Sequence, residues 1–280
     1  MKKVIFIQPA KLGDLIILTP AAKYYSENGY SVEWLVYDNF LSYFRAIDYV
    51  KPISFNCSLE PNGYYSNYKK RYSMAEKVEI DTSIQYFKKA REYAISQKAD
   101  LILDIAWGFA GCKQENLNLI PLYSSNNKNW IEMKYNLSNV PLKERWNFVW
   151  KRDEEKEDKL LSIVRNFSLK THGTDKFNIV HNYGKNNVHS LNLQNKIDLV
   201  PIPGFEIYDW YKVLLEAQSI TCIDSALCNF VEVLPDLKEK TKYYLGSEES
   251  HYHSFMRNIL FNNWLDHNKQ SIVSDYLGKI

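Results

Sequence analysis

The sequence predicts an α/β fold of two parallel-sheet domains facing a cleft, and three observations predict it. The chain opens on the unbroken apolar run Val4–Ile7, strand-sized and helix-sized apolar patterns then alternate, and the alternation restarts at Phe177. Runs apolar at every position suit strands covered on both faces by crossover helices, which is the mark of a parallel, doubly wound sheet. A length of 280 residues accommodates two such domains.

In the first domain, Gln8–Gly13 reads as a loop and Asp14–Asn28 as a helix, with Leu15, Leu18, Ala22 and Tyr25 on one face and Gly29 as its stop. Ser31–Tyr37 is the second strand, and Leu41–Asp48, Pro52–Phe55, Thr82–Gln97 and Leu101–Ala106 continue the alternation of helix and strand. Gly63–Tyr72 breaks the rhythm as an inserted loop, and residues 107–139 show no clear period. Lys143–Arg165 reads as a charged helix, with Arg152–Lys159 as a solvated face. The first domain is therefore expected over 1–165, with a linker at 166–175 in the polar stretch around Gly173.

The second domain, expected over 176–262, repeats the pattern. Phe177–Asn182, Ile197–Pro201, Ser219–Ile223 and Lys242–Leu245 read as strands. Ile207–Gln218 is amphipathic, with Trp210, Val213, Leu214 and Ala217 on one side, and a helix runs from Asp224-Ser225 to Leu234. Ser271–Leu277 reads as a terminal helix within a segment, 263–280, expected to return toward the first domain.

Composition narrows the classes of function. An apolar share of 45% is that of a globular protein, and a net charge of +2 makes no general case for nucleic acid. Apolar stretches are strand-sized, too short to span a bilayer, and Pro9, Lys11 and Asp14 interrupt any leader-like run after Met1-Lys2-Lys3. A cytoplasmic protein without a transmembrane segment is the expectation. The four cysteines form no CxxC pair, the six histidines are not spaced for zinc, and no DxD-like carboxylate pair stands out, so no metal is expected.

Five stretches carry candidate chemistry. In Pro9-Ala10-Lys11-Leu12-Gly13-Asp14, between first strand and helix, Asp14 is either a carboxylate facing the cleft or a helix cap, Gly13 lets the backbone turn closely, and Lys11 is a further candidate in the same loop. In Thr221–Leu227 a strand runs into Asp224-Ser225 at a helix start, where free N–H groups suit a diphosphate, or where the pair merely caps. His181, Gly184 and Lys185 lie where the strand beginning at Phe177 ends, and suit phosphate oxygens. Tyr68, Lys69, Lys70 and Arg71 interleave aromatic and cation, fit to bind an anionic glycan, a lipid-linked acceptor or single-stranded nucleic acid, or simply to face water. Glu206, after Pro203-Gly204, is a candidate ribose ligand.

The pairing of Lys11-Leu12-Gly13-Asp14 with Ile223-Asp224-Ser225-Ala226-Leu227 resembles the heptosyltransferase-like family 9 glycosyltransferases of the GT-B fold. The resemblance covers these two motifs and the two-domain layout. It implies a nucleotide-diphosphate sugar as donor, an acceptor hydroxyl, no further cofactor, and inversion at the transferred carbon. Asp14 would then be the general base, with Asp224 and Ser225 on the donor. Three other readings remain open: the same fold acting on a nucleic-acid base, a nucleotide-sugar epimerase, and a non-catalytic glycan- or nucleotide-binding protein.

Overall fold

The computed structural model describes residues 1–9, 12–54, 89–105, 130–182, 193–223, 225–245 and 264–266. They belong to two units, Met1–Asn127 with Glu132–Trp150, and Lys128–Ile131 with Lys151–Ile280.

The first unit holds a parallel sheet of four strands, β1 (Lys2–Ile7), β2 (Tyr30–Leu35), β3 (Val50–Ile53) and β4 (Leu101–Asp104), in the order β3-β2-β1-β4. β1 is central, and Val4–Ile7 are wholly buried because both sheet faces are covered. On one face Phe6 stacks on Trp34 at 5.0 Å and meets the edge of Tyr25 from helix α1 (Leu12–Glu27). On the other, Ile5 and Ile7 pack with Leu35, Tyr37, and Ala90 and Ala94 of the helical residues 89–96 (α2). Two-sided burial is why β1 reads as a continuous apolar run. Each large side chain so buried is worth about 1.5–3 kcal/mol. Gly29, at φ +80°, turns the chain after α1 in a conformation that costs glycine little.

Glu33 is the charged exception inside this sheet. It is buried in β2, yet it accepts from Lys3 and Lys51 at 3.3 Å each and from Tyr93 at 3.1 Å. Burial alone would push its carboxyl pKa up; the hydrogen bonds from Lys51 and Tyr93 and the charge of Lys3 outweigh that and hold it low.

Several expected elements are displaced. The turn expected as helix at Leu41–Asp48 is a 3-10 segment at Asp38–Ala46. A short helix, α3 (Trp130–Leu137), occupies the stretch without a period. The charged helix expected over Lys143–Arg165 splits into a 3-10 turn at Leu142–Trp146 and helix α4 (Glu154–His172). Local chemistry fixes these limits. Asp153 caps the start of α4, its side chain accepting from the Lys156 N–H at 3.1 Å, and Gly173, at φ +73°, closes the end with its N–H on the Leu169 carbonyl. Residues 166–172, expected as linker, are thus the last turns of a helix. Nor is Arg152–Lys159 entirely solvated. Glu157 is buried and takes two hydrogen bonds from Arg152, at 2.9 and 2.6 Å, while that guanidinium lies over the Tyr211 ring.

The second unit holds a parallel sheet of five strands, β5 (Asn178–His181), β6 (Lys196–Asp198), β7 (Ile220–Cys222), β8 (Lys242–Tyr244) and β9 (Trp264–Asp266), in the order β6-β5-β7-β8-β9. The amphipathic stretch becomes a 3-10 turn at Ile207–Trp210 and helix α5 (Tyr211–Glu216), with Trp210, Val213, Leu214 and Ala217 buried as expected. Helix α6 (Ala226–Val233) follows β7. Within the segment expected to return toward the first domain, Trp264–Asp266 pair with β8 in the second sheet; the rest of 263–280, with the terminal helix expected at Ser271–Leu277, lies outside the described residues. Among the described residues, no helix is long and apolar enough to cross a membrane.

Candidate functional site

In open parallel sheets ligands gather beyond the carboxyl ends of the strands, because helix N-termini and loop N–H groups converge there. Each unit has such an edge.

At the first edge, β1 ends at Ile7, level with Leu35 of β2 and Asp104 of β4. Gln8 follows, buried, with its carbonyl accepting from the Trp34 indole at 3.0 Å. Asp14 lies in the first turn of α1 as the third residue of the helix rather than as the residue preceding it. A carboxylate there gains from the partial positive charge of the helix start. The side chain is nearly buried, and its Oδ1 stands 3.7 Å from the Nζ of Lys134 on α3, a fully buried ammonium. The same Nζ donates to Gln8 Oε1 at 3.0 Å. Two tyrosines hold α3 in place: Tyr135 donates to the Ile17 carbonyl at 3.0 Å, and Tyr25 of α1 donates to the Ser138 carbonyl at 2.7 Å. Burial pushes the Tyr135 hydroxyl pKa well above its usual range, so it is a neutral donor. A second acid–base pair closes the same edge, with Arg91 on Asp104 at 2.8 and 2.7 Å.

The edge thus assembles Gln8, Asp14 and Lys134 from β1, α1 and α3. Gly13 is half-buried in the same first turn as Asp14; Lys11, Tyr68, Lys69, Lys70 and Arg71 lie outside the described residues. Gln8 and Lys134 escape the sequence reading. One signal for Lys134 exists: with Ile131 and Ser138 it falls on one helical face, so a cation interrupts an otherwise buried stripe.

At the second edge, His181 closes β5 in register with Cys222 of β7, and the Ile223 N–H donates to its carbonyl at 3.0 Å. The chain then reaches Ser225, which caps α6 with Oγ accepting from the Cys228 N–H at 3.3 Å. Ser225 thus caps the helix start, and register brings His181 to the same edge. The His181 Nδ1 and the hydroxyl of the fully buried Thr221 are buried polar atoms with no hydrogen-bond partner among the described residues. Such atoms are uncommon in a finished interior and mark places where a ligand, water or further chain completes the set. Burial also lowers the His181 pKa, which favours the neutral ring. Gly184, Lys185 and Asp224 lie outside the described residues. Glu206, the candidate ribose ligand, forms a reciprocal capping box with Asp209, its N–H donating to Asp209 Oδ2 at 2.8 Å. Cys222 and Cys228 are buried free thiols. No group of three or more acidic, histidine or cysteine side chains able to hold a metal occurs among the described residues.

No protein-family model matches the chain, and no curated protein matches it in sequence. Solved structures do match. A glycosyl transferase family 9 protein from Veillonella parvula is similar at a TM-score of 0.50 and 10% identity, over 89% of this chain and 82% of that one. The heptosyltransferase WaaC of E. coli, with ADP-2-deoxy-2-fluoro heptose, aligns at 0.41 and 13% identity over 89% and 90% of the two chains. MurG of Acinetobacter baumannii aligns at 0.38 and 13% identity over 92% and 82%. The likeness to the Veillonella protein shows the fold, which is of the GT-B glycosyltransferase type, and agrees with the two parallel-sheet units described above.

Proposed function

We propose that the chain is a glycosyltransferase that moves a sugar from a nucleotide-diphosphate donor to an acceptor hydroxyl. One observation carries the reading: in a fold of this type, the two sheets present complementary chemistry at their carboxyl edges. The first has a nearly buried carboxylate at a helix start; the second has a capped helix start beside an unpaired imidazole nitrogen.

In the reaction, the bond from the anomeric carbon to the diphosphate oxygen breaks and a bond to the acceptor oxygen forms. Asp14 takes the acceptor proton, and the nucleoside diphosphate leaves with the electron pair of the broken bond. The N–H groups opening α6 stabilise the charge that grows on the leaving oxygen, and a donor at His181 adds to them. Ser225 shapes this helix start, and Asp224, Gly184 and Lys185 are the further donor-side candidates. Lys11, Gly13 and the Tyr68–Arg71 stretch are the acceptor-side candidates. No metal enters this mechanism; the nucleotide sugar is the substrate, and a glycan, lipid-linked or other hydroxyl compound is the acceptor.

A panel of nucleosides, nucleoside diphosphates and nucleotide sugars, read by thermal shift and then by donor consumption, tests it. A ligand present at a hundred times its Kd stabilises the native state by about 2.7 kcal/mol. Nucleotide sugars and diphosphates should raise the melting temperature, nucleosides less, and one donor should be consumed. A panel without any shift at millimolar ligand would refute the proposal.

A further inference from the structure

We infer that Lys134 is a positioning residue for Asp14: held by Gln8 at the end of β1, its buried ammonium sets the direction of the carboxylate that accepts the proton. This rests on the reading of Asp14 as general base.

Three observations carry it. The ammonium is fully buried, which is costly for a cation without compensation, and an apolar side chain of similar size usually serves packing at least as well. It is held from the strand side, where it donates a hydrogen bond of 3.0 Å to Gln8 Oε1. Toward Asp14 Oδ1 the distance is 3.7 Å, within ion-pair range but beyond an N–H···O hydrogen bond. The cation therefore attracts one carboxylate oxygen toward a fixed point without being hydrogen-bonded to that oxygen, which suits a group that must take a proton in every cycle. The anchoring reaches across the sequence, since Tyr135, the next residue, ties α3 to the Ile17 carbonyl of α1.

The test is a double-mutant cycle of Asp14→Asn, Lys134→Met and the double variant, measured on the full chain with the donor found by the nucleotide-sugar panel. Donor consumption is followed with acceptor or, lacking one, with water as the acceptor. Lys134→Met should lower kcat by about a hundredfold, the scale of a reacting group misplaced by roughly an ångström, and leave donor KM within a few-fold. In the Asp14→Asn background the same substitution should cost almost nothing more, because residues acting through one another are not additive. Should Lys134→Met fail to fold, Gln8→Met releases the ammonium while keeping both charges, and should lower kcat by about tenfold.

A multiplicative loss in the double variant would mean that Lys134 acts by itself, and overturns the inference. So does a Lys134→Met protein that melts earlier but turns over normally, which is the signature of a purely structural cation. Full activity of Asp14→Asn instead removes the general-base reading. A native chain that consumes no nucleotide sugar removes the proposed function and this inference with it.

Discussion

The carboxyl edges of the two sheets are built alike in backbone and differ in which of their groups a cation holds. At the first, cations hold the acids, with Lys134 serving Gln8 and Asp14 and Arg91 serving Asp104, while Asp38 Oδ1 and Ser54 Oγ, just past β2 and β3, have no partner among the described residues. At the second, Ser225 satisfies the helix start, while the His181 Nδ1 and the Thr221 hydroxyl stay unpaired among the described residues. Paired groups are held in advance and change little when a ligand arrives, as a catalytic group requires. Unpaired ones keep hydrogen-bonding capacity for something that binds. On the function proposed above, the held carboxylate of the first edge does the chemistry and the second edge takes the donor.

The largest expected effect strikes at the first edge. Asp14→Asn keeps the shape of the side chain but removes the counter-charge of the buried Lys134 ammonium, so the melting temperature should fall, while loss of a general base, measured well below that temperature, lowers kcat by about a hundred- to ten-thousand-fold. Donor affinity, measured by calorimetry, should persist. Near-native turnover in this variant would erase the contrast between the edges.

A middle-sized effect belongs to the second edge. Ser225→Ala removes the cap and should cost about 0.5–2 kcal/mol of stability. Because the helix start would also loosen its hold on a charged ligand, nucleoside diphosphate should bind about 1 kcal/mol more weakly, with free nucleoside unchanged. Equal losses for both ligands in calorimetry would leave Ser225 a cap alone.

The smallest effect is on pH dependence. Burial depresses the His181 pKa in the folded chain below its ordinary value near 6.5. Below that value the unfolded chain binds the extra proton first, so stability falls as pH drops from about 6.5 through the folded pKa, and is fully present above it. His181→Phe should remove that part of the slope in denaturant titrations at several pH values. An unchanged slope would mean that the ring titrates normally and is not held dry.

Much of this was legible beforehand because it rests on local pattern. Val4–Ile7 announced a strand buried on both faces, Gly29 a stop, and Trp210 with Val213 and Leu214 a buried stripe. What escaped depends on partners far along the chain. Lys134 lies 126 positions from Gln8, in a stretch with no period to advertise a helix. Glu157 looked like one more solvated charge until the fold placed Arg152 against it. The linker was misread because Gly173 and its polar neighbours mark a helix end as readily as a domain boundary. At Asp14 and Ser225 the sequence could not choose between cap and ligand, since a single oxygen at a helix start serves both purposes.

The fifth strand of the second sheet gives its most distant residues an outsized role. Trp264 is wholly buried, and its indole donates to Glu232 Oε2 at 2.8 Å, itself buried on α6. A chain ending before Trp264 would strip that donor from the carboxylate and bare the hydrogen-bonding rim of β8, an open template for another molecule's backbone. The damage would surface both as lost heat resistance and as self-association, the latter visible as concentration-dependent light scattering. Among the described residues β9 is, in this sense, the hem of the sheet.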